Sequence, residues 1–219
     1  MKKVIVFDFD GVLINSTQIQ KEAFLESYRI VAGEGYPSFD EFLSYSGDSL
    51  SNIFTKMKLP LEMIEPYKRI SREKGLAIKT YSGIRELLVA LKVKGYKCGL
   101  CTGKDRVRTL ELLESLKLYE YFNSVVCSDD VENPKPHPDS LILSIHNLGV
   151  TLENAIMIGD ARNDILCAKS AGVVSVAVTW GDVSRQILKQ LNPDYLVDTV
   201  EELTQVIFKL PEGEADVMK

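Results

Sequence analysis

Apolar runs alternate with amphipathic stretches along most of the chain. Val4, Ile5, Val6 and Phe7 form an unbroken β-branched and aromatic run, the pattern of a strand buried on both faces. In "SGIRELLVALKVKG", Ile84, Leu87, Leu88 and Leu91 recur at i, i+3, i+4 and i+7, which predicts a helix stopped by Gly95. "YKCGLC" reads as the next strand. "DRVRTLELLESLKL" reads as a helix with Val107, Leu110, Leu113 and Leu116 turned inward. "SVVC" is a short strand, "PDSLILSIHNLG" a helix ending at Gly149, and "NAIMIG" a strand. "RNDILCAKSAG" is a helix ending at Gly172, and "VVSVAV" a further strand. Strands and helices alternating at this length predict an α/β fold with a mainly parallel sheet flanked by helices.

One stretch breaks the alternation. Between about residues 16 and 81 every periodic segment is helical and no strand pattern is found: "TQIQKEAFLESYRIVAG", "PSFDEFLSYSG", "SLSNIFTKM" and "LEMIEPYKRISREKGLAI". The expected organisation is a core of residues 1–15 and 82–219 with a small all-helical cap domain, 16–81, inserted after the first strand. Hinges are expected near 14–17 and 80–83. The final "PEGEADVMK" has the composition of a frayed tail.

Composition narrows the function classes. The 219 residues carry a net charge of −5, which favours neither nucleic acid nor an anionic membrane as partner. An anionic ligand therefore needs a local arrangement to hold it. Asp8 interrupts the amino-terminal apolar run before it reaches leader length, and no stretch approaches membrane-spanning length, so a cytoplasmic protein, monomer or homodimer, is expected. Cys98 and Cys101 form C-x-x-C inside a strand, where alternation sends them to opposite faces. With Cys127 and Cys167 they read as buried free thiols rather than a zinc site or a disulfide.

The candidate chemistry begins where the first strand ends, in "FDFDG". Carboxylates are seldom buried without partners, yet Asp8 and Asp10 follow directly on an apolar strand. With one residue between them they face the same way, at the carboxyl edge where parallel sheets bind ligands. Further polar residues stand at later strand ends: Thr102 and Gly103 in "LCTGK", Lys135 in "NPKPHPD", and Asp160 and Asp164 in "IGDARNDILCAK". Singly, each has a plainer reading as a helix cap, a turn residue or a solvated lysine. His137 reads as a loop residue and His146 as structural, while Trp180 and Gly181 read as core packing at the sheet edge.

Taken in order, these four segments resemble the four motifs of the haloacid dehalogenase superfamily, and the resemblance spans essentially the whole chain. It implies a Rossmann-like core, with the helical insertion as a cap of the family's first class. It further implies a Mg2+-dependent phosphatase. Asp8, Asp160 and the backbone carbonyl of Asp10 would hold the metal, with Asp164 in or just behind that shell. Asp8 would attack phosphorus to form an aspartyl-phosphate, while Thr102 and Lys135 bind the phosphoryl oxygens and Asp10 serves as acid and base. Backbone N–H groups near Gly11 and Gly103 add donors. The acid at position 10 separates this chain from resembling dehalogenases, which lack it, and from phosphonate hydrolases, which carry Ala.

The insertion is expected to choose the substrate. "YSGDSLSNIF" resembles the loop such caps lower over the leaving group, which makes Ser46, Gly47, Asp48 and Ser49 candidate substrate contacts. "GDARNDILCAK" resembles the phosphoglycolate phosphatase branch, and "KLPLEMIEPYKR" resembles phosphatases associated with aminohydroxybenzoate synthesis. The expected substrate is a small phosphomonoester, either a phospho-acid or a sugar or aminosugar phosphate. Two alternatives stay open: a hexose-phosphate mutase like β-phosphoglucomutase, and a non-catalytic binding module. Gln20 stands where resembling mutases have a histidine on the first cap helix. Val12 and Asn15 replace the Thr and Asp common beside the hinge.

Overall fold

A computed structural model describes residues 3–210 of the chain. The tail 211–219, expected to fray, lies outside the described residues.

Strand β1 (Val4–Phe7) leads through a tight turn to β2 (Ile14–Asn15). Four helices follow: α1 (Thr17–Ala32), α2 (Phe39–Ser44), α3 (Leu50–Lys56) and α4 (Ile64–Glu73). Strand β3 (Lys79–Thr80) then pairs antiparallel with β2. The alternating part comprises α5 (Ile84–Val93), β4 (Cys98–Cys101), α6 (Arg106–Ser115), β5 (Ser124–Val126) and α7 (Asp139–Leu148). It continues through β6 (Ala155–Gly159), α8 (Arg162–Ala171), β7 (Val174–Val178), α9 (Arg185–Gln190), β8 (Tyr195–Val197) and α10 (Val200–Lys209).

Six strands form one parallel sheet in the order β5-β4-β1-β6-β7-β8. The chain steps from β1 outward to β4 and β5 on one side and to β6, β7 and β8 on the other. The carboxyl end of β1 therefore lies at the topological switch point, where such sheets open a crevice.

Alternation along the strands divides the core in two. Ile5 and Phe7 of β1 join Ile156 and Ile158 of β6 beneath α5, α6 and α10. Val4 and Val6 join Ala155 and Met157 beneath α7 and α8. Cys98 falls in the first layer and Cys101 in the second, as the spacing predicts, and all four cysteines are free and buried. Gly149 and Gly172 end their helices in the left-handed conformation.

Two expectations are corrected. The stretch read as wholly helical ends in β3, because a two-residue strand is too short to show a period. In α6 the buried positions are Arg108, Thr109, Leu112 and Leu113, while Val107 is 57% exposed. Turning the helix by one residue keeps an i, i+3, i+4 stripe, so the pattern alone does not set its rotation.

The four helices between β2 and β3 carry an apolar cluster of their own. Phe24, Phe42, Phe54 and Tyr67 pack ring against ring, with Phe24 and Phe42 centroids 4.7 Å apart. The cluster lets this segment hold its shape above the sheet's carboxyl edge.

Candidate active site

The strand direction of β1 extends one residue past Phe7, where the Asp8 N–H donates to the Ile158 carbonyl at 2.9 Å. Phe9 then turns into the core, and Asp8 and Asp10 on either side of it line one cavity. Gly11 closes the turn with φ of +77°, a conformation that favours glycine. A Cβ there would also lie 2.1 Å from an Asp160 carboxylate oxygen. A Cβ at Gly181 would lie 2.2 Å from the same oxygen. The two glycines let the chain close around that acid, whose Oδ2 accepts from the Asp182 N–H at 2.8 Å.

Lys135 is delivered by the loop between β5 and α7 and is 1% exposed. Its Nζ donates to Asp8 Oδ1 at 2.9 Å, to Asp164 Oδ1 at 2.6 Å and to the Cys101 carbonyl at 2.9 Å. The other Asp164 oxygen accepts from the Ala161 N–H at 3.0 Å, across the start of α8. Asp164 thus keeps the helix-capping role open to it in the sequence and also anchors the lysine.

The electrostatics are unbalanced. Carboxylate oxygens of three buried acids, Asp8, Asp160 and Asp164, all lie within 4.8 Å of one another, and among the described residues the one buried lysine beside them pairs with Asp8 and Asp164 alone. Burial, then repulsion from Asp164, pushes the Asp8 carboxyl up to about 8 against the pull of Lys135. Burial, then Asp164 and Asp8, holds Asp160 well above the usual carboxylate range. Burial opposes the Lys135 charge, but Asp164 and then Asp8 outweigh it and raise the lysine well above its ordinary value. Such a cluster of hard oxygen donors fits a divalent cation of the magnesium type, whose charge would offset the excess acid.

Asp10 is held from two sides. The Ser16 hydroxyl donates to its Oδ1 and in turn accepts from Gln20 Nε2 at 2.8 Å. Lys104 Nζ lies 3.1 Å from its Oδ2. Thr102, buried at the end of β4, lines the cavity beside Gly103.

The loop between α2 and α3 forms the roof. A Cβ at Gly103 would lie 2.5 Å from the carbonyl oxygens of Gly47 and Asp48, so only a glycine leaves room for this approach. A Cβ at Gly47 would meet Asn163, Asp164 and Lys135. Asn163 Nδ2 donates to the Tyr45 carbonyl at 3.0 Å, fastening the roof to α8. Ser46, Gly47 and Asp48 line the cavity, whereas Ser49 lies outside its lining and caps α3 by accepting from the Asn52 N–H. The buried Asp48 carboxylate is taken up by the Ser49 N–H, Asn52 Nδ2 and Lys56 Nζ.

The site therefore gathers Asp8, Asp10, Thr102, Gly103 and the roof around one cavity, with Lys135, Asp160, Asp164 and Gly11 behind Asp8. Sequence reading overlooked Lys104, Arg108, Tyr67 and Asp182, which also line it. Lys104 stands two residues after Thr102, and Asp182 follows a glycine at a strand's carboxyl end; both carried that signal. Tyr67 and Arg108 carried none. His137 is exposed and pairs with Asp139, and the His146 side chain faces outward. Trp180 packs on the core and donates to the Val12 carbonyl at 3.1 Å.

The family model described as Haloacid dehalogenase-like hydrolase matches residues 5–178, a span that includes Asp8, Asp10, Asp48, Asp160 and Asp164. The chain belongs to the haloacid dehalogenase-like hydrolases. A hydrolase relative from Bacillus mycoides, named pyrophosphatase PpaX, is 33% identical over 94% of this chain and 97% of its own. A solved structure from Clostridium acetobutylicum, titled a predicted phosphatase, superposes with a TM-score of 0.86 at 27% identity, covering 96% of this chain and all of that one. The fold is also that of a Haemophilus somnus protein titled a predicted phosphoglycolate phosphatase. There the TM-score is 0.80 at 22% identity, over 94% of this chain and 97% of that one.

Proposed function

We propose that this hydrolase is a Mg2+-dependent phosphatase acting on a small phosphorylated metabolite through an aspartyl-phosphate on Asp8. One observation carries the reading. A buried carboxylate at the switch point is paired with a buried lysine, and a second acid stands beside it facing the same cavity.

In this scheme Asp8 attacks phosphorus, and the bond to the leaving-group oxygen breaks as the Asp8–phosphorus bond forms. Lys135, the Thr102 hydroxyl and backbone N–H groups beside Gly11 and Gly103 hold the phosphoryl oxygens. Asp10 gives a proton to the departing oxygen. It then takes one from the water that attacks phosphorus and frees the Asp8 carboxylate. Ser16 fixes the orientation of Asp10, and Lys104 pairs with it before the substrate arrives. Asp8, Asp160 and the Asp10 carbonyl would hold Mg2+, with Asp164 behind them. The ion supplies charge neutralisation for the phosphoryl group.

The helical segment 16–81 acts as the cap, closing Ser46 and Gly47 over the leaving group. Four buried free thiols are in keeping with a reducing, cytoplasmic setting. A phosphomonoester such as a phospho-acid is the first reading of the substrate. Inorganic pyrophosphate is the second, and the relative named a pyrophosphatase, matched over nearly the full length of both chains, favours it. The test is phosphate release from a panel of phosphorylated acids, sugars and pyrophosphate, with and without Mg2+. Turnover that survives chelation, or no turnover on any of them, overturns the reading.

A further inference from the structure

The wall of the cavity beyond Asp10 is cationic. Lys104, from the loop after β4, and Arg108, from α6, both line it, and their side chains are only 8% and 10% exposed. They are near enough for their charges to oppose each other. Among the described residues, the charged partner of Lys104 is Asp10, the group that must be released to handle the substrate's proton. Arg108 is braced rather than mobile. Its Nε donates to Asp105 Oδ2 at 2.6 Å, its Nη1 donates to Ser71 Oγ at 3.0 Å, and the guanidinium lies 5.5 Å from the centroid of the Tyr67 ring. Ser71 and Tyr67 belong to α4, so the helical insertion itself holds this cation against the core.

Two like charges kept together on one cavity wall, both largely shielded from water, suit an anion between them. The phosphoryl end of the site has its own cation in Lys135 on the far side of Asp8, so Lys104 and Arg108 face the departing end of the substrate. A sugar would set neutral hydroxyls against two buried cations.

We infer that Lys104 and Arg108 form a leaving-group subsite for an anion, so that the substrate carries a carboxylate or a second phosphate on the oxygen that departs. This deepens the phosphatase reading and rests on it. The donors are two N–H-rich cations approaching from adjacent turns, an arrangement that suits an oxyanion of either kind. Arg108 here positions and binds the leaving group, and Lys104 passes between Asp10 and that group.

The test compares substrates alike in size and different in charge. Phosphoglycolate and pyrophosphate are the anionic arms, carboxylate and phosphate respectively, and 2-hydroxyethyl phosphate is the neutral one. At least one anionic arm is expected to exceed the neutral one by about 30-fold in kcat/KM, the scale of one charge-assisted contact. In Arg108→Gln and Lys104→Gln that ratio is expected to collapse toward unity, with Arg108→Lys restoring part of it. Equal use of neutral and anionic substrates, or a ratio unchanged in both variants, overturns the subsite. A second readout does not need turnover. Calorimetry on Asp8→Asn with Mg2+ should show phosphoglycolate or pyrophosphate binding about tenfold or more tighter than 2-hydroxyethyl phosphate. That difference appearing without any hydrolysis by the native protein would sink the phosphatase reading and keep the subsite. Its absence in a turning-over enzyme would do the reverse.

Discussion

Lys135 Nζ and Asp8 Oδ1 meet at 2.9 Å with both side chains buried, although 127 positions separate them in the chain. The contact is made at the one place where β1 and the loop after β5 converge, and Asp164 shares the same ammonium. The lysine both steadies the proposed nucleophile and waits where phosphoryl oxygens would sit.

Asp8→Asn is expected to lower turnover by at least about a thousandfold, because an amide of the same shape does not attack phosphorus. The fold should survive, since an amide of the same shape keeps the packing and adds no charge to an over-acidic cluster. Phosphate release together with a thermal melt reads both halves. A tenth of native activity remaining would contradict covalent catalysis at this residue.

Stability of the metal-free protein should fall as pH rises. Asp8 and Asp160 hold protons in the folded state above the ordinary carboxylate value of 3.8, so between there and about 8 the folded chain binds more protons than the unfolded one. That stabilisation is complete below the unfolded value and is lost as pH climbs through the folded value. Calorimetric Tm after chelation should therefore drop by several degrees between about pH 5 and about pH 9. Added Mg2+, which needs the carboxylates deprotonated, should raise Tm most at the alkaline end. A Tm of the chelated protein that rises over this range would refute the assignment.

Chelation should abolish activity and Mg2+ restore it, while Ca2+ binds without supporting turnover. The larger ion takes about six to eight ligands and would engage both oxygens of Asp8, spoiling its line of attack. Metal-dependent shifts in Tm show binding, and phosphate release shows whether it is productive.

In the roof loop, Asp48 and Ser46 should behave differently. The Asp48 carboxylate serves two donors at the start of α3 and Lys56 at its end, so Asp48→Ala should cost about 1–3 kcal/mol of stability. Ser46→Ala should leave Tm in place and raise KM on the best small substrate more than on an aryl phosphate. Melts and paired kinetics separate the two, and equal loss on both substrates would make the loop merely structural.

A hexose 1-phosphate supplied with its bisphosphate activator should give inorganic phosphate and no 6-phosphate isomer. Gln20 reaches Asp10 only through Ser16, and its amide does not titrate as a histidine would. Water therefore has the same access to Asp10 whichever sugar is bound. Phosphorus NMR would expose a mutase as a growing 6-phosphate signal without matching free phosphate.

Much of this protein is local and therefore readable along the chain. Buried strands announce themselves by unbroken apolar runs, helices by their stripes, and their ends by Gly149 and Gly172. The side-chain period of two placed Asp8 with Asp10 and parted Cys98 from Cys101. Tertiary structure decided what depends on partners far away in sequence. The pairing of β2 with β3 is two residues long, and β8 is a three-residue edge strand, both too brief for a period to emerge. Arg108 occupies a position that a helical wheel assigns to solvent as readily as to the core. It is buried only because Tyr67 and Ser71 of the insertion and Asp105 of its own helix's first turn surround its charge. The convergence of Lys135 on Asp8 and Asp164 has the same origin. Periodicity records which face of an element is apolar, whereas the site depends on which elements meet, and that is set by packing across the whole sheet.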